Sequence, residues 1–142
     1  MLEQPILKQL KEMKYRLTAC RKVIISIFEN SDIPLTVQEI NRFLKRSGIR
    51  VNKTTIYREL DLLKRLGFVK EVEFGDGKKR FENAAASHHH HFVCQNCESV
   101  SDIKINKEFE KLEQKLVKPR NFQVTDHILE FFGLCRNCQT II

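Results

Sequence analysis

The 142-residue chain has no tryptophan, only two tyrosines, three prolines and five glycines. It contains no internal repeat and no long low-complexity tract. No segment approaches the roughly 20 consecutive apolar residues of a membrane helix. The opening residues, Met1 to Lys8, also lack the pattern of a signal peptide. These absences predict a cytoplasmic protein with no membrane partner. In that reducing compartment, cysteines act as thiolate ligands more readily than they form disulfides.

Five cysteines are present, and four of them form two Cys-x-x-Cys steps, Cys94-Gln-Asn-Cys97 and Cys135-Arg-Asn-Cys138. Two such knuckles close a tetrahedral thiolate cage around one zinc ion, so a structural zinc site is expected. A redox dithiol would need only one step, near a thioredoxin-like pattern. The fifth cysteine, Cys20, stands alone in an apolar helical pattern and reads as a small buried thiol.

All five histidines lie near these thiols: His88 to His91 directly before the first knuckle, and His127 eight positions before the second. In an extended strand, alternate side chains point to opposite faces. His88 and His90 then serve one site, and His89 and His91 another. Glu82, Asp102 and Glu110 are available carboxylates, and mixed imidazole and carboxylate shells accept zinc, ferrous iron, manganese or nickel. A solvated polar run is the plain alternative.

Charge is divided unevenly. Residues 1–83 hold 18 Lys and Arg against 11 Asp and Glu, whereas residues 84–142 hold seven of each. A basic module joined to a neutral, metal-rich one points to a polyanion bound by the first half and controlled by the second.

Helical spacing runs from Thr18 to Glu29, through Val23, Ile24, Ile27 and Phe28. The sequence Thr36-Val-Gln-Glu39 predicts a capping box opening a second helix that ends at Gly48. Asn52 caps a third, with a stripe of Ile56, Leu60 and Leu63 stopped near Gly67. Extended segments at 68–74 and 79–81 flank Gly75-Asp76-Gly77, a hairpin turn. Three helices followed by a hairpin make a winged helix-turn-helix, with domain limits at 1–83, a hinge at 84–87 and a metal-binding domain over 88–142. That second domain is expected to hold strands at 92–93, 100–105 and 122–132, and a helix carrying Phe109, Leu112 and Leu116 that stops near Pro119. The fold class is α+β.

At about 100° per residue, Thr54, Tyr57, Arg58 and Asp61 fall away from the Ile56 stripe. Such a face enters the major groove, where Arg pairs with guanine and a tyrosine ring meets a thymine methyl. Lys78, Lys79, Arg80 and Arg21 are suited to phosphates.

Taken together, Arg16-Leu-Thr-Ala-Cys-Arg21, Thr54-Thr-Ile-Tyr-Arg58, Arg80-Phe-Glu82, His88 to His91 running into Phe-Val-Cys94, and His127-Ile-Leu-Glu-Phe-Phe-Gly133-Leu-Cys135 resemble the ferric uptake regulator family. The resemblance covers nearly the whole chain. It implies a homodimeric repressor with an N-terminal winged helix and a C-terminal α/β dimerisation domain, which closes on operator DNA when regulatory metal binds and controls metal uptake or homeostasis genes. By the same resemblance Tyr57 and Arg58 lie near bases, and Arg16 reaches the minor groove. Glu82, His89, His91 and Asp102 match the interdomain regulatory site or its immediate neighbour. His88, His90, Glu110 and His127 match a second site, Glu110 after a one-residue insertion. Many members place a histidine of the DNA-binding domain in the regulatory site, where this chain has Pro34, which has no side-chain donor; Glu71 or Glu73 is a candidate replacement.

The unbroken histidine run and the His127-Ile-Leu-Glu-Phe-Phe-Gly133 strand resemble the zinc-uptake regulators of the family. Zinc is therefore the favoured effector, followed by ferrous iron, then manganese, nickel or peroxide sensing. A zinc hydrolase built on His89, His91 and Glu82, or a metal buffer, are readings of another class. Neither uses a basic winged helix, so no enzymatic activity is expected.

Overall fold

The computed structural model describes residues 5–86, 89–105, 107–125 and 127–140. The chain divides into two compact units, Met1–Ala86 and Ser87–Ile142. Among the described residues, no helix is long and apolar enough to cross a membrane.

The first unit opens with α1 (Pro5–Glu12), an element absent from the sequence expectation. Its apolar signal is short, with Ile6 and Leu10 one turn apart, and both side chains are buried. Tertiary packing fixes this helix: isolated helices of this length are marginal in water. Glu29 accepts a hydrogen bond from the Ile6 backbone N–H at 3.2 Å, satisfying one of the unpaired donors at the start of α1.

Helix α2 (Ala19–Asn30) is capped by Thr18, whose hydroxyl accepts from the Arg21 N–H, and it buries Cys20, Ile24, Ile25 and Phe28. Strand β1 (Leu35–Thr36) leads into α3 (Val37–Arg46), where Thr36 and Glu39 form the full capping box. In α4 (Lys53–Arg65), Asn52 caps the Thr55 N–H and the inward stripe is Ile56, Leu60 and Leu63. Gly67 ends it with φ +78, and Phe68 N–H donates back to Leu63 at 2.9 Å. This is the left-handed termination for which glycine carries least steric cost.

Strands β2 (Val69–Glu73) and β3 (Lys79–Asn83) form the hairpin. Gly75 and Gly77, both at φ +75, turn it. The wing is three-stranded, in the order β1-β3-β2, because Leu35 and Thr36 pair with Phe81 and Arg80. Phe81 then joins the helices in one core with Leu10, Ile24, Phe28, Leu44, Ile56 and Leu60.

The second unit contains β4 (His90–Cys94), β5 (Val100–Ile103), α5 (Lys107–Val117), a 3-10 turn at Lys118–Arg120, β6 (Glu130–Gly133) and α6 (Arg136–Gln139). Its sheet order is β5-β4-β6, with β4 antiparallel to β5 and parallel to β6. Among the described residues, the strand expected over 122–132 is shortened to Glu130–Gly133, the segment paired with His91 to Cys94.

Candidate metal centres and nucleic-acid interface

The two knuckles come together. One sulfur from each of Cys94, Cys97, Cys135 and Cys138 lies within 4.8 Å of the others. The Cys97 and Cys135 sulfurs are 3.7 Å apart; bonds of about 2.3 Å in a tetrahedron place sulfurs about 3.8 Å apart. The donor chemistry and spacing fit zinc. Local folding explains the convergence: β4 ends in Cys94 beside Gly133 of β6, and Cys135 stands at the start of α6, one turn before Cys138.

The thiols are also tuned. The backbone N–H of Cys135, 3.3 Å from the Cys94 sulfur, heads the hydrogen bonds that lower Cys94 to about 6. Cys97 is lowered chiefly by Ser99, whose hydroxyl oxygen lies 3.1 Å from its sulfur. At Cys138 the Asn96 amide favours the thiolate, but burial and the neighbouring thiols Cys135, Cys94 and Cys97 outweigh it and push the group up to about 11. Two thiols are prepared to ionise and a third resists. With all four sulfurs as its ligands, a bound dication would offset the crowded negative charge of the thiolates.

The histidine run is sorted by the strand. His90 and His91 are buried, on opposite faces of β4. His91 Nε2 lies 3.6 Å from Asp102 and its Nδ1 lies 3.5 Å from Glu130. Both carboxylates sit directly opposite it in register, on β5 and β6. The ring of His89 stands edge-on to that of His91, with centroids 4.7 Å apart.

On the other face, His90 Nδ1 is 3.2 Å from the Leu129 carbonyl and His127 Nδ1 is 3.1 Å from Glu113. The Nε2 atoms of the two rings face each other at 3.2 Å. Imidazole nitrogens bound tetrahedrally at about 2.05 Å lie about 3.3 Å apart. This pair too fits a metal.

Two carboxylates escaped the sequence reading. Glu113 stands against His127, whereas Glu110, the residue expected there, is exposed. The two are three residues apart on α5, so the same face contains both and an insertion-based alignment cannot choose between them. Glu130 lies in the His127-Ile-Leu-Glu motif, and its register opposite His91 exists only in the folded sheet. His88 lies outside the described residues. Pro34 is buried, and Glu71 is occupied by Lys64 at 2.7 Å and Lys79 at 3.5 Å. Glu73 is exposed.

In the first unit, Thr54, Tyr57, Arg58, Lys78, Lys79 and Arg16 are all exposed. Arg80 is a correction. Its side chain is buried, ion-paired to Asp76 at 2.8 Å and stacked 4.9 Å from the Phe74 ring centre. It lies on the face of β3 opposite the core residue Phe81, covered there by the hairpin residues Phe74 and Asp76, so Arg80 stabilises the wing turn instead of meeting phosphate. Arg21 is also withdrawn: its Nε and Nη2 donate to Glu59 at 2.7 and 3.0 Å, and its Nη1 donates to the Arg16 carbonyl.

A basic winged helix-turn-helix joined to a small cysteine- and histidine-rich sheet unit defines a class of metal-responsive DNA-binding regulators. The sequence model of the Ferric uptake regulator family matches residues 12–132, and the chain belongs to that family. It is 33% identical over 137 residues to the ferric uptake regulation protein of Bacillus subtilis, covering 94% of this chain and 91% of that protein. It is 31% identical over 132 residues to the peroxide operon regulator of the same organism, covering 93% and 90%. Among solved structures, the Helicobacter pylori ferric uptake regulator shares the fold at TM-score 0.80 and 23% identity, over 94% of this chain and 89% of that one. A zinc-bound manganese uptake regulator matches at TM-score 0.76 and 29% identity, over 91% and 98%. The protein is accordingly a transcriptional regulator and not an enzyme.

Proposed function

We propose that the chain is a homodimeric, cytoplasmic repressor that binds operator DNA when regulatory metal is present, with zinc favoured over ferrous iron and manganese as effector. Residues 1–83 bind DNA, 84–87 act as the hinge and 88–142 hold metal and the partner protomer. The observation that carries the reading is the division of labour on β4. His91, with Asp102 and Glu130 beside it, offers an imidazole and carboxylate site separate from the four-thiolate cage. A structural metal and an exchangeable one thereby have different donors, which is what a sensor requires.

Structural zinc is assigned to Cys94, Cys97, Cys135 and Cys138. The regulatory metal is assigned to His89, His91 and Asp102, joined by Glu82. Glu82 belongs to the wing strand β3 and the histidines to the second unit. Glu71 is engaged with lysines, so the carboxylate beside His91 that best offsets Pro34 is Glu130. The second site takes His88, His90 and His127, with Glu113, 3.1 Å from His127, as its carboxylate in preference to the exposed Glu110.

A second copy of this chain is the partner because α5 buries none of its own residues, leaving Leu112 and Leu116 exposed with Phe122, Ile128, Phe131 and Phe132. An apolar surface of this extent on so small a unit favours association, and β6 is an open sheet edge. Tyr57 and Arg58 read bases, Arg16 enters the minor groove, and Lys78 and Lys79 meet phosphates.

The test uses a duplex selected by the protein from a randomised pool. Its binding is followed by fluorescence anisotropy with chelator, zinc, ferrous iron and manganese in turn. Tight binding restored by zinc at the lowest free concentration supports the reading; equal binding with chelator and with every metal contradicts it.

A further inference from the structure

The strongest feature left unused is the side-chain cluster joining α2 to α4. Arg21 and Glu59 are each only 13% exposed, and they meet through two hydrogen bonds, Nε to Oε2 at 2.7 Å and Nη2 to Oε1 at 3.0 Å. The third donor of the same guanidinium, Nη1, goes to the backbone carbonyl of Arg16. Thr18 closes the other side of the segment by accepting from the Arg21 N–H at 3.2 Å. One arginine therefore ties the stretch 16–18 to the recognition helix at a defined register. Glu59 directly follows Tyr57 and Arg58, and both of those residues are exposed.

We propose that Arg21 and Glu59 form a positioning pair that holds Arg16 in register with Tyr57 and Arg58 and so sets DNA sequence preference. The inference rests on the DNA-binding roles proposed above for those three residues. A phosphate contact is the competing role for Arg21, and two considerations disfavour it. Its charge is compensated by Glu59, so the pair releases few counterions on binding. The guanidinium also spends its planar fork on the carboxylate, a geometry that an ammonium group cannot reproduce.

Two variants separate the roles. Arg21→Gln combined with Glu59→Gln removes the pair without changing net charge, and Arg21→Lys keeps the charge but loses the fork. Affinity is measured for the duplex selected by the wild-type protein and for a scrambled duplex, across a salt series, with thermal melting to confirm folding. In both variants the ratio of selected to scrambled affinity is expected to fall about tenfold, the scale of one lost base-pair readout. The salt slope should stay that of wild type, and the cysteine-bound zinc should be retained. Wild-type discrimination in a folded double variant overturns the proposal; if that variant does not fold, wild-type discrimination in Arg21→Lys overturns it. A wild-type protein that selects no duplex overturns the DNA-binding reading itself, and this inference with it.

Discussion

The Nε2 atoms of His90 and His127 face each other at 3.2 Å, each imidazole being held from behind, one by the Leu129 carbonyl and the other by Glu113. Backing of this kind fixes ring orientation and raises the basicity of the outward nitrogen. Glu113→Gln should therefore weaken metal binding at this second site by about 10- to 100-fold. Glu110→Gln should change it little. Competition titrations against a fluorescent chelator distinguish the two, and a larger loss in Glu110→Gln would restore that residue as the carboxylate of the site.

The thiolate cage predicts a different phenotype. Cys94→Ser removes one of the four converging sulfurs, leaving a unit whose helix α5 buries nothing of its own. Zinc content and self-association should fall together. Elemental analysis with size-exclusion light scattering checks this, and a folded dimer with full zinc would contradict it.

Three cations of the first unit should behave in three ways. Arg58→Ala is expected to cost about 1–3 kcal/mol on the selected duplex and to relax its sequence preference. Lys79→Ala should weaken all duplexes and reduce the salt slope by about one. Arg80→Ala, which leaves the Asp76 carboxylate without its buried partner, should instead lower stability by about 1–3 kcal/mol in chemical denaturation.

The same ion pair gives the wing an acid sensitivity. The hydrogen bond from Arg80 is the main cause holding Asp76 below its usual value of 3.8. A carboxyl depressed in the folded state contributes stability above its unfolded value, and that contribution is lost as pH falls through the folded one. Wild-type melting temperature should drop more steeply than that of Asp76→Asn below about pH 4. Parallel curves between pH 7 and pH 3 would show that the pair contributes nothing.

Much of this organisation was legible in the chain because local signals and tertiary packing agreed. The Thr36–Glu39 box, the Asn52 cap, the Ile56, Leu60 and Leu63 stripe and the Gly67 stop all reappear in the structure. The paired Cys-x-x-Cys steps needed only the knowledge that thiolates share a cation. Helix α1 was not legible, since eight residues with two buried apolar positions acquire helicity only by docking. Arg80 was misread because a run of cations looks uniformly solvated until the hairpin folds Phe74 and Asp76 over one of them. Glu113 and Glu130 were missed because their partners, His127 and His91, come from distant segments joined by the fold.

The central claim is that metal on one face of β4 governs DNA binding while the cysteine cage holds the unit together. The most direct measurement is a zinc titration of DNA binding by His91→Ala beside wild type, with zinc content determined on the same samples. The account predicts that the variant keeps one cysteine-bound zinc per chain and loses its metal-dependent DNA binding. An unchanged metal response in zinc-retaining His91→Ala, together with its loss in His127→Ala, would contradict the account and transfer control to the His90 and His127 face.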